Sequence, residues 1–213
     1  MHTFRVWAPL PRHVELQFDG ARFPMQPQDY GWWVADIASA SAGGEYGFVL
    51  DGEGPFPDPQ SASQPNGIHE LSHLVDQNAF RWSDHGWQSA PLSSAIIYEL
   101  HTGTFTSGGT FKAAVEKLDH LVQLGVTHVE LMPVAEFSGS HGWGYDGVDL
   151  FAPHHAYGTP DDLKYLVNAC HAHRLGVILD VVYNHLGPAG NYLGKFGPYF
   201  TKRYAPSWGE SLN

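Results

Sequence analysis

The sequence predicts a two-part fold: an all-β sandwich over residues 1–90, then the opening of a parallel α/β barrel over residues 91–213. Three observations carry this. In the first part apolar residues alternate with polar ones, at Val14, Leu16 and Phe18 and again at Trp33, Ala35 and Ile37, the period of a half-buried strand. After Ser94 the pattern becomes strand, helix, strand, helix, strand, the order of parallel α/β units. The run Gly176-Val-Ile-Leu-Asp-Val-Val-Tyr-Asn-His185 is apolar and β-branched enough to predict a strand buried on both faces of a parallel sheet.

The elements follow in order. Asp19-Gly20, Gly43-Gly44 and Asp51-Gly52 supply turn chemistry, and short strands at this spacing imply a sandwich. Residues 53–67, with Pro55, Pro57, Pro59 and Pro65, cannot continue a central strand and predict an irregular connection. Trp82 and Trp87 are expected to pack between the two parts, with the boundary near Pro91. A first strand is expected over 95–100. Thr110 then caps a helix whose buried positions are Phe111, Val115, Leu118 and Val122, ended by Gly125. A second strand covers 126–132. Thr159-Pro160-Asp161-Asp162 combines an N-cap, a proline in the first turn and acidic residues beside the positive helix end. Leu163, Leu166, Val167 and Cys170 give that helix its buried stripe, and Gly176 stops it. The barrel is preferred to a doubly wound sheet because no Gly-x-Gly-x-x-Gly follows the first strand, while polar and aromatic residues crowd the loops after strands two and three. A closed barrel takes about 250 residues, so this one is expected to be incomplete.

Composition limits the function. With 213 residues and 43% hydrophobic content the chain can bury a proper core. Eleven Lys and Arg against 22 Asp and Glu leave a net charge of -11, which opposes nucleic acid and anionic lipid and favours neutral or cationic partners. No apolar run approaches the roughly 20 residues of a spanning helix. The single cysteine, Cys170, excludes an internal disulfide, and the start enters a strand pattern at once, so a cytoplasmic protein is expected. Aromatics at 14% suit sugar stacking and core filling equally.

Chemistry concentrates in two stretches. Asp180 interrupts an apolar run, where a carboxylate needs a partner, and Asn184 and His185 follow it directly. The long loop after strand two carries Trp143, Tyr145 and Asp146, candidates for a stacking platform with an acid beside it, the alternative being an aromatic loop packed on the core. In a barrel both stretches emerge on one face. No metal is expected from the 14 histidines: His154 and His155 are adjacent, and His171 and His173 sit two apart on a helix, pointing to different faces. No phosphate-cradling turn is present, so no dinucleotide cofactor is expected.

The Asp180-Val-Val-Tyr-Asn184-His185 run is similar to the first signature region of the α-amylase family of glycoside hydrolases. Trp143-Gly-Tyr145-Asp146 resembles that family's loop after its second strand, and Phe4-Arg-Val-Trp-Ala-Pro9 resembles its opening strand. The resemblance implies an immunoglobulin-like sandwich of the glycan-binding type over 1–90, then the first three βα units of a (β/α)8 barrel. Segments beginning at Tyr98, Tyr157, Asn184 and Gly197 most resemble the family's trehalose-releasing members. The implied substrate is maltooligosyltrehalose or another α-1,4-glucan, cleaved with retention and without a cofactor; branching or debranching is the alternative within the family. By the same resemblance Tyr145 stacks on the glucose before the cleaved bond, His185 hydrogen-bonds its primary hydroxyl, and Asp180 braces the network. Asn184, a calcium ligand in some members, is structural here.

The family's catalytic carboxyl groups lie on later strands, beyond Asn213, and none of Glu99, Glu130 and Glu136 matches their positions. The chain alone is therefore expected to be inactive. Three departures stand out: His141-Gly142 where such members carry Arg-Asn, Ser107-Gly108 where they carry Pro-Glu, and an extra residue at 205–209. A reading of another class is a non-catalytic glycan-binding module that uses Tyr30, Trp32 and Trp33.

Overall fold

The computed structural model describes residues 1–203 and 211–213, so the 205–209 departure lies outside the described residues. The first part is strands: β1 (His2–Trp7), β2 (Val14–Phe18), β3 (Ala21–Pro24), β4 (Gln26–Pro27), β5 (Trp32–Ile37), β6 (Glu45–Leu50), β7 (Glu53–Phe56) and β8 (Ser72–His73). They form two antiparallel sheets, one ordered β1-β5-β4 and the other β3-β2-β6-β7 with β8 on β6. Asp19 and Gly20, both at positive φ, make the β2–β3 turn, a conformation that a two-residue hairpin of this hand requires. Alternation then decides the faces. Val14, Leu16 and Phe18 are buried, and they meet Phe4 and Val6 of β1 and Ala35 and Ile37 of β5 in one core. Phe4 sits 5.6 Å from Phe18 and 5.0 Å from Tyr46 between ring centroids. Pro55 lies in β7, an edge strand, where a missing N–H is tolerated; the stretch expected to be irregular thus begins with a short strand.

One member of this core comes from far along the chain. Phe196 is fully buried in it, with its ring 6.2 Å from Phe48 and 6.4 Å from Phe56. The two tryptophans near the boundary part company. Trp87 stacks on His171 of the second part at 3.7 Å, whereas Trp82 is 39% exposed and leans on Phe80.

The second part holds β9 (Ile97–Leu100), α1 (Thr102–Phe105), α2 (Phe111–Val115), α3 (Leu118–Gln123), β10 (His128–Leu131), β11 (Ala135–Glu136), β12 (Asp149–Pro153), α4 (Pro160–Ala172), β13 (Gly176–Leu179) and α5 (Leu193–Phe196); the short pair β14 (Phe200–Thr201) and β15 (Ser211–Leu212) follows. Strands β9, β10 and β13 are parallel, with β10 central. Leu100, Val129, Leu131 and Val177 pack with Phe111, Leu118, Leu121, Leu166 and Cys170 on the helix side. Glu99, Glu130 and Ile178 share the opposite face, since Glu130 pairs in register with both. Thr159 and Asp162 form the expected capping box on α4, and the Thr110 hydroxyl accepts from the Ala113 N–H at α2.

Two expectations need correction. The helix after Thr110 breaks at Glu116 and Lys117 into α2 and α3, and Val122 is 43% exposed. The buried stripe is instead Phe111, Ala114, Leu118 and Leu121. The final strand is neither long nor buried on both faces: it ends at Leu179, and Leu179 and Val181 are 46% and 45% exposed. The cause is its place at the edge of a three-stranded sheet, with no strand paired on its far side among the described residues. No barrel closes among them, and none of their helices is long and apolar enough to cross a membrane.

Candidate functional site

The site grows from the carboxyl ends of β10 and β13. After β10 the chain runs through Pro133 and out along a loop to β12, and Gly144 folds this loop back on its own base. At Gly144 φ is +89°, and a Cβ there would lie 2.0 Å from the Pro133 carbonyl oxygen, so only glycine fits. Gly144→Ala is expected to lower unfolding stability by roughly 1–3 kcal/mol; an unchanged urea midpoint would show that the turn moves away freely.

This turn delivers Tyr145. Its hydroxyl donates to Asp180 Oδ2 at 3.0 Å, while Asp180 is fixed through its own N–H to the Leu131 carbonyl at 2.9 Å. The polar partner that an Asp in an apolar run requires is therefore a phenol from the neighbouring loop. The hydrogen bond to Asp180, then desolvation, then the charges of Asp180, Glu99 and Glu130 raise the Tyr145 pKa above its ordinary value, which keeps the hydroxyl a donor. His185 holds the backbone of the same residue: its Nε2 lies 3.0 Å from the Tyr145 carbonyl, and its Nδ1 lies 3.2 Å from Asn184 Oδ1. The Gly187 N–H donates to the Gly147 carbonyl at 3.1 Å and closes the two loops together.

Tyr145, Asp180 and His185 thus converge. Trp143 and Asp146 do not join that knot. Trp143 is 75% exposed, and Asp146 is exposed at a cleft that also includes His185 and Asn191. Asn184 is exposed too, touching only the His185 ring among the described hydrogen bonds.

Sequence reasoning missed two supporting clusters. In the first, His101 Nε2 lies 2.8 Å from the Gly142 carbonyl and 3.0 Å from the Tyr157 hydroxyl, which is 3.3 Å from that same carbonyl. Burial, then the charge of Glu136, pushes Tyr157 up to about 12. This cluster pins the residue before Trp143. In the second, buried Glu136 accepts the His155 N–H and faces His155 Nδ1, both at 2.7 Å, and His154 stacks on His155 with ring centroids 4.5 Å apart. Adjacent histidines in a loop can therefore share a neighbour, contrary to the spacing argument.

Ligating atoms of Glu136, His154 and His155 lie within 4.8 Å of one another. His154, however, accepts the Ala156 N–H at Nδ1 and contacts the Gly139 carbonyl through Nε2, each at 3.0 Å. Burial and the neighbouring His155 lower its pKa to about 4. With both ring nitrogens so engaged, the set fits a neutral hydrogen-bonded strut better than a metal site. His171 and His173 go to different partners, Asp84 and Asp119. A local signal for the first cluster existed in Tyr98-Glu-Leu-His101; the second had only the paired histidines after an apolar strand.

Comparison with known proteins identifies the family and the fold. The catalytic domain of alpha amylase matches residues 56–203. A malto-oligosyltrehalose trehalohydrolase from Rhizobium sp. (strain M-11) is 50% identical over 99% of this chain and 36% of its own length. A crystal structure from Salmonella typhimurium with an alpha-amylase designation superposes with a TM-score of 0.95 at 46% identity, covering 99% of this chain and 36% of that one. A pullulanase from Anoxybacillus sp. LM18-11, crystallised with maltotetraose, gives a TM-score of 0.83 at 26% identity over 99% and 38% of the two chains. This chain spans little more than a third of these relatives. With more than half of its residues matched to that catalytic domain, the chain belongs to the α-amylase family of glycoside hydrolases.

Proposed function

We propose that this chain is the sugar-gripping portion of a retaining glycoside hydrolase that releases trehalose from maltooligosyltrehalose. The observation that carries the reading is the clamped tyrosine. The Tyr145 ring is 38% exposed, held at its hydroxyl by Asp180 and at its carbonyl by His185, at the end of parallel strands where barrel enzymes bind substrate. A ring so fixed offers an apolar face to a pyranose without losing freedom on binding. His185 positions that ring, and a sugar hydroxyl reaching it would displace Asn184 from Nδ1. Asn184 is read as structural, and Asp146 and Trp143 as further contacts.

In this reading the two antiparallel sheets are an immunoglobulin-like, glycan-binding sandwich with its boundary near residue 91, and β9, β10 and β13 open a (β/α)8 barrel. The reaction takes two carboxyl groups about 5 Å apart: one attacks the anomeric carbon while the other protonates the departing oxygen, and water then frees the sugar with retained configuration. Asp180 is committed to Tyr145, and Glu99 and Glu130 lie within strands, so these two groups are assigned to later strands of the barrel. No cofactor enters the reading, and its setting is cytoplasmic.

The chain is expected to bind maltotetraose in an NMR titration yet to release no trehalose from maltooligosyltrehalose. Turnover by these residues alone would overturn the assignment of the acids. Pullulanase likeness keeps debranching as the second reading; a full-length enzyme that cut α-1,6 bonds and left maltooligosyltrehalose intact would favour it. A glycan-binding module centred on the first sheets has less support. Tyr30 is 92% exposed, but Arg5 lies 4.9 Å over the Trp32 ring and the Trp33 indole donates to the Ala8 carbonyl, so the three rings make no open platform.

A further inference from the structure

The connection from β7 to β8 carries a knot of polar groups that the tyrosine clamp does not use. Asp58, Ser61, Gln64 and Ser72 are each no more than 8% exposed, yet all are paired. The Tyr46 hydroxyl donates to Asp58 Oδ2 at 2.8 Å and the Asp58 N–H donates to Ser72 Oγ at 2.9 Å. The Ser61 hydroxyl donates to Gln64 Oε1 at 2.9 Å, and the Gln64 amide donates to the Glu70 carbonyl at 3.2 Å. A satisfied buried network favours one arrangement and stiffens the chain that carries it. What this one holds in place is the turn at residues 64–70, with Ile68, 4% exposed, at its centre and His69 beside it.

That turn is the seat of the loop that follows His185. Gly190, at φ +75°, packs so closely that a Cβ there would lie 2.6 Å from Ile68 Cβ, and the Tyr192 hydroxyl lies 2.7 Å from His69 Nδ1. Three residues before Gly190 the same loop sits as tightly on the turn that carries Tyr145. A Cβ on Gly187 would lie 2.2 Å from the Asp146 carbonyl oxygen, next to the Gly187 bond to Gly147 and the His185 contact with the Tyr145 carbonyl. With both ends seated and only Pro188 and Ala189 between them, the loop has little slack. We propose that Ile68 and His69 are positioning residues for the sugar rim: through Gly190 and Tyr192 they set where His185 stands, and so where it holds Tyr145. The effect on sugar rests on the reading of Tyr145 as the sugar contact; the effect on His185 does not.

The test uses the full chain. Nitrogen NMR of the His185 ring reads the clamp without sugar, and calorimetric titration with maltotetraose reads its use. His69→Ala and Tyr192→Phe remove the same bond, the first at an exposed position and the second with the ring contact to Phe56 kept, so both variants keep their fold, which circular dichroism checks. Each is expected to shift the His185 Nε2 resonance and to weaken maltotetraose about threefold to fivefold, the worth of one hydrogen bond. The double variant is expected to go no further than either alone. Lys195→Ala breaks the ion pair with Glu53 further along the same segment and is expected to change neither reading. A His185 resonance that stays put in both variants, or moves as far in Lys195→Ala, would overturn the positioning role. So would a shifted resonance with unchanged maltotetraose affinity when Tyr145→Ala weakens that sugar. A shifted resonance with no maltotetraose binding, or with binding that Tyr145→Ala leaves intact, would uphold the hold on His185 and overturn the sugar reading instead.

Discussion

Phe196→Ala is expected to cost about 3–5 kcal/mol of unfolding stability, the range for removing a fully buried phenylalanine. The size follows from where the ring sits. Phe196 is 0% exposed and fills the core between the two antiparallel sheets, edge-on to Phe48 and Phe56. Around it the same short segment makes further ties: the Leu10 N–H donates to the Phe196 carbonyl at 3.2 Å, the Trp7 and Tyr199 rings meet at 5.1 Å, and Phe56 meets Tyr192 at 5.1 Å. A core that borrows its central ring from beyond residue 190 is not self-sufficient. Residues 1–90 alone are therefore expected to expose Phe48 and Phe56 and to bind a hydrophobic dye, and the whole chain to unfold in one transition. Urea unfolding of the variant measures the first point; a loss under about 1 kcal/mol would mean that the sheets close without this ring.

Local chemistry made much of the fold legible. Alternation placed β2 and β5, and the Thr110 and Thr159 caps were read correctly because a cap is a contact between residues three apart. What failed was whatever depended on neighbours distant in sequence. An apolar run states that a strand can be covered, not that it is, and 177–182 lies at an edge where Leu179 and Val181 meet solvent. In the helices after Thr110 the buried positions are Phe111, Ala114, Leu118 and Leu121, so Val115 and Val122 each lie one residue off, a choice between i+3 and i+4 that a helical period leaves open. Phe196 gave no signal, since its helix is four residues long and has no periodicity to read.

The site divides in the same way. Tyr145, Asp180 and His185 could be brought together from sequence because loops at the carboxyl ends of parallel strands share a face. The supports behind them could not: His101 reaches Gly142 across 41 positions and Glu136 reaches His155 across 19, polar pairs in loops that follow no period. These supports matter for the chemistry, since they fix the loop that carries Trp143 and Tyr145.

That loop leads into β12, whose first residue is a strongly perturbed buried acid, and stability should report it. Asp149 on β12 pairs in register with Glu136 on β11, is 5% exposed, and leaves Oδ2 without a hydrogen-bond partner. Burial, then the charges of Glu136 and Asp58, push it up to about 8. An acid whose folded value exceeds its unfolded one keeps its proton longer in the native state. Its contribution is full below the unfolded value, near 4, and is lost as pH rises through 8. Asp58, raised by burial to about 6, acts in the same sense over a narrower window, as does Glu136, also raised by burial. His154, lowered to about 4, acts oppositely: its contribution is present above the unfolded value, near 6.5, and is lost as pH falls through 4.

Below pH 6.5 the histidine therefore offsets part of the Asp149 slope. Between pH 6.5 and 8 that offset is gone, and stability is expected to fall by up to about 1.4 kcal/mol per pH unit. Asp149→Asn keeps the shape and removes the proton, so its urea midpoint should stay nearly flat from pH 6.5 to 8 and exceed that of the parent at pH 8. A parent already flat across this window would mean that Asp149 is ionised in the native state, and the β11–β12 base of that loop would then need a cationic partner for it.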